Sequence, residues 1–134
     1  MAEKILLEIV TPERKVLSEE VDIVVAPGEL GEFGVLPGHI PFLCKLKIGE
    51  LRFRSGATSQ HVAIMGGYAE VLKNTVTILA TAAEAATEID VIRAKAARER
   101  AEKRLSDSRD KLEFTRAQAA LHRAIARLKV AERQ

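Results

Sequence analysis

Asp90 and Arg93 place a carboxylate and a guanidinium three residues apart in the hexamer Ile89-Asp90-Val91-Ile92-Arg93-Ala94. Arg100 follows seven residues after Arg93. At about 100° per residue the two arginines fall within about 20° of each other on a helix. Arg116, Arg123 and Arg127 make a similar row further on. If both stretches are helices folded against each other, up to four guanidiniums and Asp90 converge along one edge. Arginine forks bind phosphate bidentately, and a carboxylate takes ribose hydroxyls or the amino group of adenine. Spacing alone leaves three readings open. The row is a nucleotide site, a basic arm for nucleic acid, or a solvated or partner-facing surface with pairs such as Glu99 and Lys103.

The elements that must position these residues divide the chain at this hexamer. All 8 glycines and all 4 prolines precede it, and none follows. Residues 1–86 carry 8 Lys/Arg against 11 Asp/Glu, whereas residues 87–134 carry 13 against 8. An acidic front and a basic back point to two modules with different partners. The second module reads as a helical hairpin. Thr87-Glu88-Ile89-Asp90 fits a capping box, with acids at the positive end of the helix dipole. The first helix then runs to about Leu105, and Ser106-Asp107-Ser108-Arg109-Asp110 breaks it. On the second helix, Phe114, Ala117, Leu121, Ala124, Leu128 and Ala131 form a two-position heptad seam. The matching row on the first is Asp90, Ala94, Ala97, Ala101 and Leu105. A five-residue turn makes the hairpin antiparallel. Both seams are rich in alanine, which permits close approach but buries little area, as suits an arm that opens.

The first module reads as an antiparallel β-sandwich, giving an α+β chain by segments. Lys4 to Val10 forms a strand, and Val16 to Val25 forms two more. Period-2 patterning recurs at Ile48 to Phe53, His61 to Ile64, Tyr68 to Leu72 and Val76 to Leu79. Turns on Gly56, Gly66-Gly67 and Lys73-Asn74 separate these runs. The glycine-rich segment Gly28 to His39 reads as a shaped turn system rather than a plain strand. A phosphate-cradling P-loop would need Gly-Lys-Ser/Thr opening a helix, and Pro37-Gly38-His39 leads into another apolar run. The segment is then a tight sandwich corner, or a docking loop that offers Glu32 and His39 to a partner.

Other chemistry finds little support. Cys44, the sole cysteine, lies in an apolar-rich strand and reads as a small core residue; His61 reads as structural. Neither has the company that a nucleophile or a metal requires. A single thiol in 134 residues points to a reducing compartment. No secretory signal follows Met1, and no apolar window is long enough to span a membrane. An acidic sandwich without interleaved aromatics argues against nucleic acid as the partner.

Two motifs together carry a family resemblance over essentially the whole chain. Gly31-Glu32-Phe33-Gly34-Val35-Leu36-Pro37-Gly38-His39 is similar to the loop motif of the epsilon subunits of bacterial F-type ATP synthase. Phe33 departs from it, standing where an aliphatic residue is more usual. Ile89 to Ala94 resembles that family's ATP-binding pattern of Ile/Leu-Asp, two variable residues and Arg-Ala. The resemblance implies a non-catalytic rotor subunit of a proton-translocating synthase, peripheral on the cytoplasmic face of the bacterial plasma membrane. Residues 1–86 would bind the gamma subunit and the c-ring, with Glu32 and His39 in the docking loop. Residues 87–134 would be a mobile arm that extends to the alpha/beta catalytic head to inhibit ATP hydrolysis. ATP would bind the folded arm as a regulatory ligand, through Glu84, Ile89, Asp90, Arg93, Ala94, Arg100, Arg123 and Arg127. No obligatory cofactor, metal or catalytic residue is implied. A rotor subunit with the same inhibitory role but no ATP sensing is the alternative.

Overall fold

The computed structural model describes residues 3–133. Eight strands precede two helices: β1 (Ile5–Val10), β2 (Lys15–Val21), β3 (Ile23–Gly28), β4 (Gly31–Val35), β5 (Phe42–Ser55), β6 (Thr58–Leu72), β7 (Thr75–Ala80), β8 (Ala83–Ala85), α1 (Val91–Asp107) and α2 (Lys111–Ala131). The pairing order is β2-β1-β7-β6-β5-β3-β4, with β8 also on β6. All these pairs are antiparallel except β1 with β7. The result is the β-sandwich followed by a helical hairpin that the sequence pattern calls for.

The alternation of apolar and polar residues builds the core. In β1, Ile5, Leu7 and Ile9 are fully buried while Leu6, Glu8 and Val10 are less so. Val21, Val24, Leu51, Phe53, Ile64, Val71, Val76 and Ile78 complete one contiguous cluster.

The long strands β5 and β6 were not expected as such. Gly66-Gly67, read from sequence as a turn between two short strands, instead lies inside β6. Both glycines adopt positive φ (84° and 134°), so the strand re-aims without ending. A Cβ on Gly67 would stand 2.0 Å from the Leu79 carbonyl oxygen, so only glycine allows this approach. Val62 to Ile64 of β6 pair with β8 and Gly67 to Leu72 pair with β7, so the two glycines sit where the strand changes partner. The glycine-rich segment also differs from expectation. Its first part is strand, since β4 pairs with β3 from Val24↔Val35 to Gly28↔Gly31.

The hairpin packs on the sandwich through a second, smaller cluster. Ala126 and Val130 of α2 meet Ala63 and Met65 of β6, together with Ile89. The α1–α2 seam buries Ala94 and Ala101 on one side and Ala117 and Ala124 on the other. Phe114, placed in the seam by its spacing, is instead 44% exposed. The C-terminal half of α2 serves the sandwich as well as α1, so a uniform heptad does not describe it.

Candidate functional site

The start of α1 is set by Asp90. Its carboxylate accepts from the Arg93 backbone N–H at 3.0 Å, capping the helix alone. Thr87 is not the cap that the sequence suggested. It lies exposed in a short 3-10 turn, Ala86–Glu88, where Glu88 accepts from the Ala85 N–H at 3.0 Å. The chain kinks at Ile89, whose side chain drops into the cluster beneath α2. At the other end, Asp110 caps α2 by accepting from Glu113 N–H at 2.8 Å. The break is therefore shorter than expected, because α1 continues through Asp107.

Between α1, α2 and β8 lies a cleft of about 480 Å³. That is within the range of roughly 300–1,000 Å³ typical of small-molecule sites. Its walls hold Glu84, Asp90, Arg93, Ala94, Arg100, Arg123 and Arg127, seven of the eight residues named for the arm's ligand. Ile89 is the exception, a buried wedge behind the wall with 7% exposure. Arg116, grouped with Arg123 and Arg127 by helical phase, does not line the cleft and is exposed.

Two further charged residues line the wall. Arg104 extends the row Arg93, Ala97, Arg100 by one turn, and its i+4 spacing from Arg100 was a usable signal. Glu88 also faces the cleft, held by Arg14 Nη2 at 2.9 Å; nothing local in the sequence predicts that partner. Small residues complete the wall: Ala97, Ala101 and Ala120 leave the space that larger side chains would fill.

Electrostatically the cleft sets five guanidiniums against three carboxylates. Arg127 donates from Nε to Glu84, tying α2 to the short strand before the hairpin. Arg93, Arg100, Arg104 and Arg123 have no carboxylate partner among the described residues. Unpaired forks around a recess floored by alanine are suited to a polyanion that also offers a flat or hydroxylated part.

The docking-loop residues lie on the sandwich. Glu32 on β4 accepts from Arg52 Nη1 at 2.9 Å and is not free. The His39 ring lies against Phe42, with centroids 5.9 Å apart, and its Nδ1 is 2.7 Å from the Ile40 carbonyl oxygen. Leu36 and Ile40, close to His39 in sequence, are exposed, as are Leu30 and Leu43, whereas Glu32 lines a recess with Ile125 and Lys129 of α2. Cys44 is half-buried against the core, and desolvation pushes its thiol pKa up, away from nucleophile chemistry. No group of His, Cys, Asp and Glu among the described residues is arranged for a metal ion, and no described helix is long and apolar enough to cross a membrane.

A β-sandwich that hands its chain to a helical hairpin is a defined class of protein. Residues 4–86 match the family model described as ATP synthase, Delta/Epsilon chain, beta-sandwich domain. Residues 87–132 match that of the long alpha-helix domain of the same chain. The "ATP synthase epsilon chain" of Syntrophobacter fumaroxidans is 78% identical over 133 residues, covering 99% of each chain. That of Nitratidesulfovibrio vulgaris is 54% identical, covering 97% of each. A chain in the cryo-EM structure of Euglena gracilis mitochondrial ATP synthase, OSCP/F1/c-ring, aligns with TM-score 0.82 at 28% identity, over 96% of this chain and 81% of that one. A chain of the Tetrahymena thermophila mitochondrial ATP synthase central stalk and c-ring, 16% identical with TM-score 0.66, shares the fold over 97% and 98%. The chain belongs to this family, as an epsilon subunit of a bacterial F-type ATP synthase.

Proposed function

We propose that the chain is a non-catalytic rotor subunit whose hairpin is a mobile arm, inhibitory when extended and held folded by ATP. The observation that carries this reading is the cleft, where Asp90, Arg93 and Arg100 of one helical segment face Arg123 and Arg127 of the other. A ligand that needs both helices binds only the folded hairpin. By linkage it stabilises that state by RT ln(1 + [L]/Kd), roughly 2.7 kcal/mol at a hundredfold excess over Kd. Four of the arginines suit the triphosphate, and Asp90 and Glu84 suit the ribose or the adenine amino group. The alanine seam supports the mobility, because little apolar area is lost when the helices part. ATP is sensed here, and its chemistry belongs to other subunits.

The sandwich would couple the arm to the rotor. The exposed apolar side chains close to His39 in sequence support a docking surface for the c-ring and the gamma subunit. The arm would act on the alpha/beta catalytic head, with the complex peripheral on the cytoplasmic face of the plasma membrane. In the assembled synthase, Arg123→Ala should weaken retention of the folded arm by ATP. Removing one charge-assisted contact is worth ~1.5–3 kcal/mol, so hydrolysis should stay inhibited to ATP concentrations ~10- to 100-fold higher. Hydrolysis that depends on ATP as in the parent would leave a rotor subunit without ATP sensing.

A further inference from the structure

Glu50 takes no part in the arginine cleft, yet its side chain is only 3% exposed. It sits on β5 opposite Ala63 of β6, and Ala63 lies in the apolar cluster beneath Ala126 and Val130 of α2. The folded hairpin thus helps to remove this carboxylate from water. Just past the end of α2, Arg133 supplies the counter-charge, donating from Nε to Glu50 Oε2 at 3.1 Å. The His61 ring on β6 comes within 3.1 Å of the same oxygen through Nδ1, but off the line of a hydrogen bond. Arg133 is therefore the hydrogen-bonded partner, and it arrives only when the arm closes.

We propose that Glu50 and Arg133 form an ion-pair latch that fixes the end of the arm to the sandwich, independently of any ligand in the arginine cleft. The latch rests on the mobile arm described above. Its logic is an asymmetry of buried charge. With the arm open, the carboxylate regains water; with it closed, Glu50 is buried and needs the cation, while Arg133 keeps part of its solvation. Closing without the cation buries an unpaired carboxylate, whereas closing with neither charge does not. The latch lies on the sandwich-facing side of α2, beside a second recess that Lys47, His122 and Lys129 also line. The arm is thus held on two sides, one requiring a ligand and one intrinsic.

Thiol accessibility reports even rare opening. In the full chain with Cys44→Ser, Ala126→Cys places a thiol at a site that is 5% exposed when the arm is folded. Its labelling rate is measured without nucleotide, so the result does not depend on ATP binding. Arg133→Ala should speed labelling roughly tenfold, a figure reduced from that of a fully buried pair because Arg133 stays half exposed. Adding Glu50→Gln to Arg133→Ala should return the rate most of the way to the parent, because no buried charge is then left alone. An unchanged rate in Arg133→Ala, or a double variant labelled as fast as the single one, overturns the latch. Val130→Asp, which drives a charge into the apolar cluster, separates the latch from the mobility of the arm. If it speeds labelling and Arg133→Ala does not, only the latch fails. If it too leaves the rate unchanged, the arm does not open, and latch and mobile arm fail together.

Discussion

The two modules bury their surfaces with different side chains. The sandwich closes over Ile5, Leu7, Ile9, Leu51, Ile64 and Ile78, all fully buried. The helix–helix seam closes over Ala94, Ala101, Ala117 and Ala124. At about 0.8 kcal/mol per buried methylene, replacing such residues by alanine along a seam removes most of its hydrophobic hold. One region is fixed by packing. The other is fixed by packing on the sandwich, ion pairs and whatever fills its cleft. The rotor anchor and regulatory arm proposed above would need that difference, and the residue types are suited to it.

The largest test of the contrast is in the sandwich. Leu51→Ala should cost ~2–5 kcal/mol, seen as an earlier midpoint in urea, because a close-packed core relaxes only partly around the cavity. The hairpin should be lost with it, since Ala126 and Val130 then have no floor. Ala124→Leu makes the opposite intrusion in the seam and should cost ~1–3 kcal/mol of helix pairing. Amide exchange should speed in α1 and the N-terminal part of α2 while the strands stay protected. If Ala124→Leu instead lowers the sandwich and hairpin transitions together, the two modules are one cooperative unit and the contrast fails.

The smallest effect concerns acid. Lys4 Nζ, 2.5 Å from Asp22, and the Gly56 N–H, 2.7 Å away, hold the Asp22 carboxyl below its ordinary pKa. A depressed carboxylate contributes stability that is present above its ordinary pKa and lost as pH falls through its lowered folded value. Asp22→Asn should therefore flatten the acid limb of sandwich stability and leave arm opening unchanged. A shift in arm opening would mean that the two modules share their electrostatics more widely than this contrast allows.

Local patterns in the sequence carried the strand alternation, the two helices and most of the residues that line the cleft. Period-2 runs mark the strands, and helical phase brings Arg93, Arg100, Arg123 and Arg127 to one edge. Long-range features were not legible. Gly66-Gly67 has the signature of a turn, and only the β7 backbone against Gly67 shows why the strand continues. Asp90 outranks Thr87 as a cap because Ile89 must first drop under α2, a tertiary demand. Glu32 with Arg52, Glu88 with Arg14 and Glu50 with Arg133 join residues 20, 74 and 83 positions apart, beyond any periodic signal. Ile89 shows that a residue within a motif can lie behind the wall of a cleft rather than line it.

The central claim is that the arginine cleft binds ATP in the folded arm, and titrating the purified chain with ATP tests it most directly. Followed by NMR, the amides of Asp90, Arg93, Ala94 and Arg123 should shift together and saturate at millimolar ATP or below. Those of the turn at Lys73 and Asn74, beyond the end of β6 that lies away from β8, should stay in place. Spectra that do not change at millimolar ATP would contradict the claim and leave the arm held by its ion pairs and packing alone.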